Sequence, residues 1–162
     1  MKKKIEILAP AKNLVQGIAA INSGADAVYI GAPLYGARSN ATNSVEDIAE
    51  LVKYAHLYNA QVFVVINTIL YDNELEPCRQ LIWKLYDIGV DALIIQDMAI
   101  MEMELPPIVL HASTQTNNRD ADKIKFLADA GIKRVVLARE LNLHQIKEIS
   151  EGSAIIALFD DG

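Results

Sequence analysis

The chain has 162 residues, 52% of them hydrophobic and 22% charged, a size and balance that fit one globular domain and exclude intrinsic disorder. A single cysteine, Cys78, rules out an internal disulfide and a cysteine-rich zinc site. The net charge of −6, concentrated in residues 82–162 (8 basic, 13 acidic), gives this segment no strong nucleic-acid signal, because tight phosphate binding requires clustered Lys and Arg.

The basic run Lys2-Lys3-Lys4 leads into Ile5-Glu6-Ile7-Leu8, too short for a signal peptide or a membrane span. No membrane association is expected, and the default location is cytoplasmic. From there, short aliphatic runs alternate with amphipathic stretches. The strand-like runs are Lys4–Leu8, Ala27–Ile30, Gln61–Ile66, Ala92–Ile95, Ile108–Leu110, Arg134–Leu137 and Ala154–Leu158. They are apolar on both faces, as parallel strands covered by helices must be. Between them, Leu14/Ile18/Ile21, Ile48/Leu51/Val52/Ala55 and Leu81/Ile82/Leu85/Ile88 each fall on one helical face.

Ser44, followed three residues later by Asp47, predicts the N-cap of the second helix, and Asn142 that of the last. Gly24, Gly89 and Gly131 each follow a helical pattern where a left-handed cap residue belongs. They head a weak repeat, Gly24-Ala-Asp-Ala-Val-Tyr-Ile, Gly89-Val-Asp-Ala-Leu-Ile-Ile and Gly131-Ile-Lys-Arg-Val-Val-Leu. Repeated βα units form either a barrel or an open doubly wound sheet. Ala9-Pro10-Ala11-Lys12 after the first strand is no dinucleotide fingerprint, and no P-loop is present. The expected fold is therefore α/β and TIM-barrel-like. With about seven parallel strands it is incomplete: residues 1–162 form one partial (βα) barrel, the N-terminal part of a longer protein.

In such a barrel, chemistry collects at the C-terminal strand ends. There the sequence offers Gly31, Asn67-Thr68, Gln96-Asp97, His111-Ala-Ser113-Thr114-Gln115 and Arg139-Glu140, with the long polar loop around Arg38 beside them. Each has a plainer role. Asn67, Thr68, Ser113 and Thr114 suit turn capping. Asp97 suits capping of Met98–Met103 better than catalysis, and His111 divides evenly between a strand-end histidine and a functional one. Arg139 and Glu140, adjacent on a strand, point to opposite faces and need separate partners. A serine-protease triad is disfavoured: His111 and Ser113 lie side by side, and no G-x-S-x-G elbow is present. Metal ligation by His111, Asp97 and Glu140 lacks an anchoring pair. Cys78 follows Pro77 at what reads as a helix start, a place that lowers a thiol pKa, although an ordinary thiol fits better.

The blocks Leu8-Ala-Pro-Ala-Lys-Asn13, Gly24-Ala-Asp-Ala-Val-Tyr-Ile-Gly31, Asn67-Thr68, His111-Ala-Ser-Thr-Gln115 and Arg134-Val-Val-Leu-Ala-Arg-Glu-Leu141 span about nine-tenths of the chain. In order and spacing they resemble the collagenase-like peptidase family, peptidase family U32. The resemblance implies a barrel-like N-terminal half, a bacterial cytoplasmic setting and proteolysis without firmly assigned catalytic residues. It equally implies RNA hydroxylation or oxygen-independent ubiquinone hydroxylation, with an iron–sulfur cluster held by four cysteines beyond this region. No cofactor is expected within the chain itself. The family pattern Glu-x-Phe-x-His-Gly after the last strand is here Ala157-Leu-Phe159-Asp-Asp161-Gly162, without the Glu and the His.

Three functions follow as expectations. The first is a protease whose rim carries His111, Glu140, Asn67 and Ser113 as catalytic residues, with Gln115, Arg139, Arg38 and Asp97 binding a peptide. His111 or Glu140 would then be the acid/base and Arg139 the anion contact. The second is the substrate-binding part of an RNA- or ubiquinone-hydroxylation protein. The third is a non-catalytic module that self-associates through the open barrel edges near Lys4–Leu8 and Ala154–Leu158.

Overall fold

The computed structural model describes residues 6–36, 43–152 and 156–158. Seven parallel strands, β1 (Leu8–Ala11), β2 (Ala27–Gly31), β3 (Gln61–Ile66), β4 (Ala92–Ile95), β5 (Val109–Ala112), β6 (Arg134–Val136) and β7 (Ile156–Leu158), pair in chain order. Five α-helices connect them: α1 (Leu14–Asn22), α2 (Val45–Leu57), α3 (Asp72–Asp87), α4 (Ala121–Asp129) and α5 (Leu143–Gly152). Short 3₁₀ turns at Met98–Glu102 and Thr114–Thr116 bracket β5. No helix among the described residues is long and apolar enough to cross a membrane.

The sheet is curled into a partial barrel. Laid flat, six strands would hold β1 and β6 about 24 Å apart, at roughly 4.8 Å per neighbour. Yet the Arg134 guanidinium on β6 makes a two-pronged ion pair with Glu6, just before β1, at 3.0 and 3.2 Å. Only a strongly curved sheet brings those groups together across its concave side.

Alternation along the strands then sorts the apolar residues into two cores. Val28, Ile30, Val62, Val64, Ile66, Leu93, Ile95, Ala112 and Val135 face outward and pack under Ile48, Leu51, Ile82, Leu85 and Ile124 of the helices. Ala27, Phe63, Val65, Ala92 and Ile94 face inward as a smaller cluster, joined by Leu8 and Tyr29. Both faces of the central strands are thus dry, which is why they read as unbroken apolar runs.

Two of the three glycine-headed repeats, Gly24-Ala-Asp26 and Gly89-Val-Asp91, are structural ties. Gly24, Gly89 and Gly131 have φ of +96°, +87° and +113°, conformations that favour glycine at a helix end. Two residues on, Asp26 accepts the Ile7 N–H at 2.9 Å and Asp91 accepts the Val62 N–H at 2.8 Å. Each carboxylate therefore pins the entry of its own strand to the start of the preceding one. Ser44 and Asp47 cap α2 reciprocally, as their spacing predicts. Asn142 Oδ1 accepts from Gln145 N–H at 3.0 Å, and the Asn142 N–H donates in return to Gln145 Oε1 at 2.9 Å.

Three expectations are corrected. The first strand is Leu8–Ala11, not Lys4–Leu8, of which residues 4 and 5 lie outside the described residues. Pro10 is tolerated there because, among the described residues, β1 is an edge strand with a neighbour on one side only. The fifth strand runs two residues further than Leu110, to Ala112, so that His111 lies inside it. Finally, α3 begins at Asp72, where the Glu74 carboxylate reaches back to the Tyr71 N–H at 2.9 Å. Pro77 is inside the helix and Cys78 is not at its start. The thiol is buried, and burial, then Glu74 and Asp97, push its pKa up to about 11 rather than down.

Candidate functional site

The inward face continues past the strands by the same alternation. From β2 to β6 the last inward positions are Gly31, Asn67, Gln96, Ser113 and Ala138. None is charged. They line the concave side at the open, C-terminal end, and below them sits His111, 3% exposed.

Local hydrogen bonds fix this end strand by strand. Tyr35, in the loop after β2, is buried, and its carbonyl accepts from Asn67 N–H at 3.1 Å and Thr68 Oγ1 at 3.3 Å. Asn43 donates through Nδ2 to Lys12 and Gly31 carbonyls at 3.1 and 3.2 Å, tying the ends of β1 and β2. Asn118, with no exposed surface, does the same for β5 and β6. Its Nδ2 donates to Ser113 and Val136 carbonyls at 3.0 and 2.8 Å, and its Oδ1 accepts from Thr116 Oγ1 at 2.7 Å. Two buried amides thus satisfy strand-end carbonyls that the sheet leaves over.

His111 differs from all of these. Its ring packs edge-on against Phe63, with centroids 4.9 Å apart. The Arg134 guanidinium lies 5.6 Å from the centre of that same Phe63 ring. Burial, and then the Arg134 charge, lower the His111 pKa to about 4, so the ring is neutral at pH 7. Its Nδ1 is buried and has no hydrogen-bond partner. It is the one such side-chain atom among the described residues.

The sequence-derived candidates separate accordingly. His111, Ser113 and Asn67 share the inward face, the first two on β5 and Asn67 at the end of β3, with β4 between them. Ser113 Oγ, though, accepts the Gln115 N–H at 3.2 Å and so caps the turn Thr114–Thr116. Asp97 faces away from the interior. Its two carboxylate oxygens accept Ala99 N–H and Leu70 N–H, both at 2.9 Å, as a cap and as a brace for the loop after β3. Glu140 is exposed and pairs with Arg119 at 3.0 Å. Arg139 and Gln115 are exposed as well, and Arg38 lies outside the described residues. Arg139 and Glu140 follow β6 in a turn, so strand alternation does not govern them.

Among the described residues no group of three or more His, Cys, Asp or Glu is placed to hold a metal ion. With Cys78 on the buried face of α3, no iron–sulfur ligand set is built from them. Sequence reasoning missed Glu6, Arg134, Asn43 and Asn118. A signal existed for Arg134, a charge at the start of the apolar run Arg134-Val-Val-Leu, but its partner is 128 residues away.

Comparison with known proteins places this geometry in context. The model of peptidase family U32 matches residues 12–158. The chain is 56% identical over 160 residues to the 23S rRNA 5-hydroxycytidine C2501 synthase of Escherichia coli K12, covering 98% of this chain and 24% of that protein. It is 38% identical over 153 residues to tRNA hydroxylation protein P1 of Bacillus subtilis 168, covering 92% of this chain and 36% of that protein. The chain therefore spans only about a quarter to a third of the relatives it matches. Among solved structures, the U32 peptidase Mk0906 superposes with a TM-score of 0.78 at 11% identity, over 98% of this chain and 69% of that one, a likeness of fold.

Proposed function

This chain belongs to peptidase family U32, and on that footing we propose that it is the barrel region of an RNA-hydroxylating protein, presenting its open strand ends to a nucleoside of the substrate RNA. The observation that carries the reading is the 56% identity, across nearly the whole chain, with a protein named for hydroxycytidine formation in 23S rRNA. The tRNA hydroxylation relative points the same way.

The chemistry of the site supports it. A hydrolase of the Ser–His type needs an imidazole hydrogen-bonded to an acid on one nitrogen and to the nucleophile on the other. His111 Nδ1 has no partner, Ser113 Oγ accepts a backbone N–H, and Glu140 is held on the surface by Arg119. What remains at the inward ends of β2 to β6 is a set of uncharged hydrogen-bonding groups, suited to recognising a substrate and unsuited to activating water. Iron–sulfur redox chemistry, if the complete protein uses it, draws its ligands from outside the described residues.

The test is nucleoside mass spectrometry of ribosomal and transfer RNA from a strain lacking the gene. The expected result is loss of a pyrimidine nucleoside carrying one added oxygen atom, restored by the intact gene. An unchanged nucleoside profile refutes the reading.

A further inference from the structure

The unpartnered nitrogen of His111 is the least explained feature of the interior. Leaving a buried polar atom without a hydrogen bond costs about 1–3 kcal/mol. A phenylalanine would fill the same place against Phe63 without that penalty. The nitrogen makes no hydrogen bond to the charged pair below it, where Arg134 meets Glu6 through both terminal nitrogens. Above it, the inward positions from β2 to β6 are Gly31, Asn67, Gln96, Ser113 and Ala138, none of them charged.

We propose that this floor is a subsite for an uncharged pyrimidine base, and that His111 Nδ1 completes its hydrogen bonding with the polar edge of that base. The inference rests on the RNA-hydroxylation reading. A protein that does chemistry on a base must take it out of the stack and recognise it by its edge. That edge carries neighbouring donors and acceptors, which uncharged amides, a hydroxyl and a neutral imidazole match. Within the interior, low basicity helps: a neutral ring offers one N–H and one lone pair, so its tautomer adapts to the base. The edge-on Phe63 contact holds the ring plane. His111 is thus assigned to binding and orientation and not to proton transfer.

The experiment is nitrogen-15 NMR of the histidine rings, with cytidine as probe and inorganic phosphate as control. Saturable movement of the His111 Nδ1 resonance with cytidine, and none with phosphate, is the expected result. His111→Phe keeps the packing and should weaken cytidine binding about tenfold, the value of one buried hydrogen bond. His111→Asn, which places an amide near the Nδ1 position, should recover most of it. Should the Phe variant not fold, the wild-type titration decides alone. No movement of His111 at saturating cytidine, or undiminished binding by a folded Phe variant, overturns the proposal. If RNA hydroxylation persists in the gene-deleted strain while cytidine still moves His111, the functional reading falls and the subsite stands. Loss of hydroxylation without any His111 response does the reverse.

Discussion

Acidification should destabilise this protein through His111. His111 has a pKa lowered from 6.5 to about 4 in the folded chain. Between those values the unfolded state binds the proton and the native state does not, so stability increases with pH across that window. The contribution is fully present above about pH 6.5 and is lost as pH falls toward 4. From pH 7 to pH 4.5, the two pKa values and 1.36 kcal/mol per unit give a loss of about 2 kcal/mol. Carboxylates titrate over the same range, so the assay is a comparison. Urea unfolding of the wild type and of His111→Phe is measured at both pH values. The wild type should lose about 2 kcal/mol more than the variant between them. Equal losses would refute the claim that a neutral, buried imidazole sits in the barrel interior.

Other perturbations separate the ties that hold the barrel. Glu6 and Arg134 are 28% and 14% exposed, so the pair is largely desolvated. Arg134→Met, Glu6→Gln and the double variant, measured by urea unfolding, should give a coupling energy of about 1–2 kcal/mol. A coupling near zero would mean that the two groups do not meet. Asn118→Ala strips hydrogen bonds from two strand-end carbonyls and should cost about 2–3 kcal/mol of stability with an unchanged denaturant slope. A loss below about 0.5 kcal/mol would show that those carbonyls are satisfied otherwise. Cys78 should resist thiol reagents at pH 7 in the native protein and react promptly in urea, since its thiol is buried with a pKa near 11. Rapid labelling of the folded protein would contradict the position of α3.

Much of the architecture could be read from the chain because its signals are local. Aliphatic runs such as Gln61–Ile66 and Ala92–Ile95, buried on both faces, announce central parallel strands. The glycines before Asp26 and Asp91 mark helix ends, and Ser44 with Asp47 marks a start. The site was less legible for two physical reasons. First, alternation makes side-chain direction depend on strand limits. Extending β5 through Ala112 moved His111 from the expected rim into the interior. Second, the groups that shape the concave side meet only after folding. Nothing local distinguishes Asn118 from Asn117, although one is a buried clamp and the other an exposed residue with φ of +56°. Nor does Glu6, in an ordinary alternating stretch, reveal a partner beyond β5. The cap role of Asp97 was visible, and the same bonds take it out of the interior.

The most direct test of the account uses the strong match to the Escherichia coli relative. This chain would replace the aligned quarter of the Escherichia coli rRNA hydroxycytidine synthase, in cells lacking that enzyme. The 5-hydroxycytidine content of their 23S rRNA would then be measured. Restoration, and its loss on introducing His111→Phe into the chimera, is the expected result. A stably expressed chimera that leaves the rRNA unhydroxylated would contradict the claim that this barrel serves RNA hydroxylation.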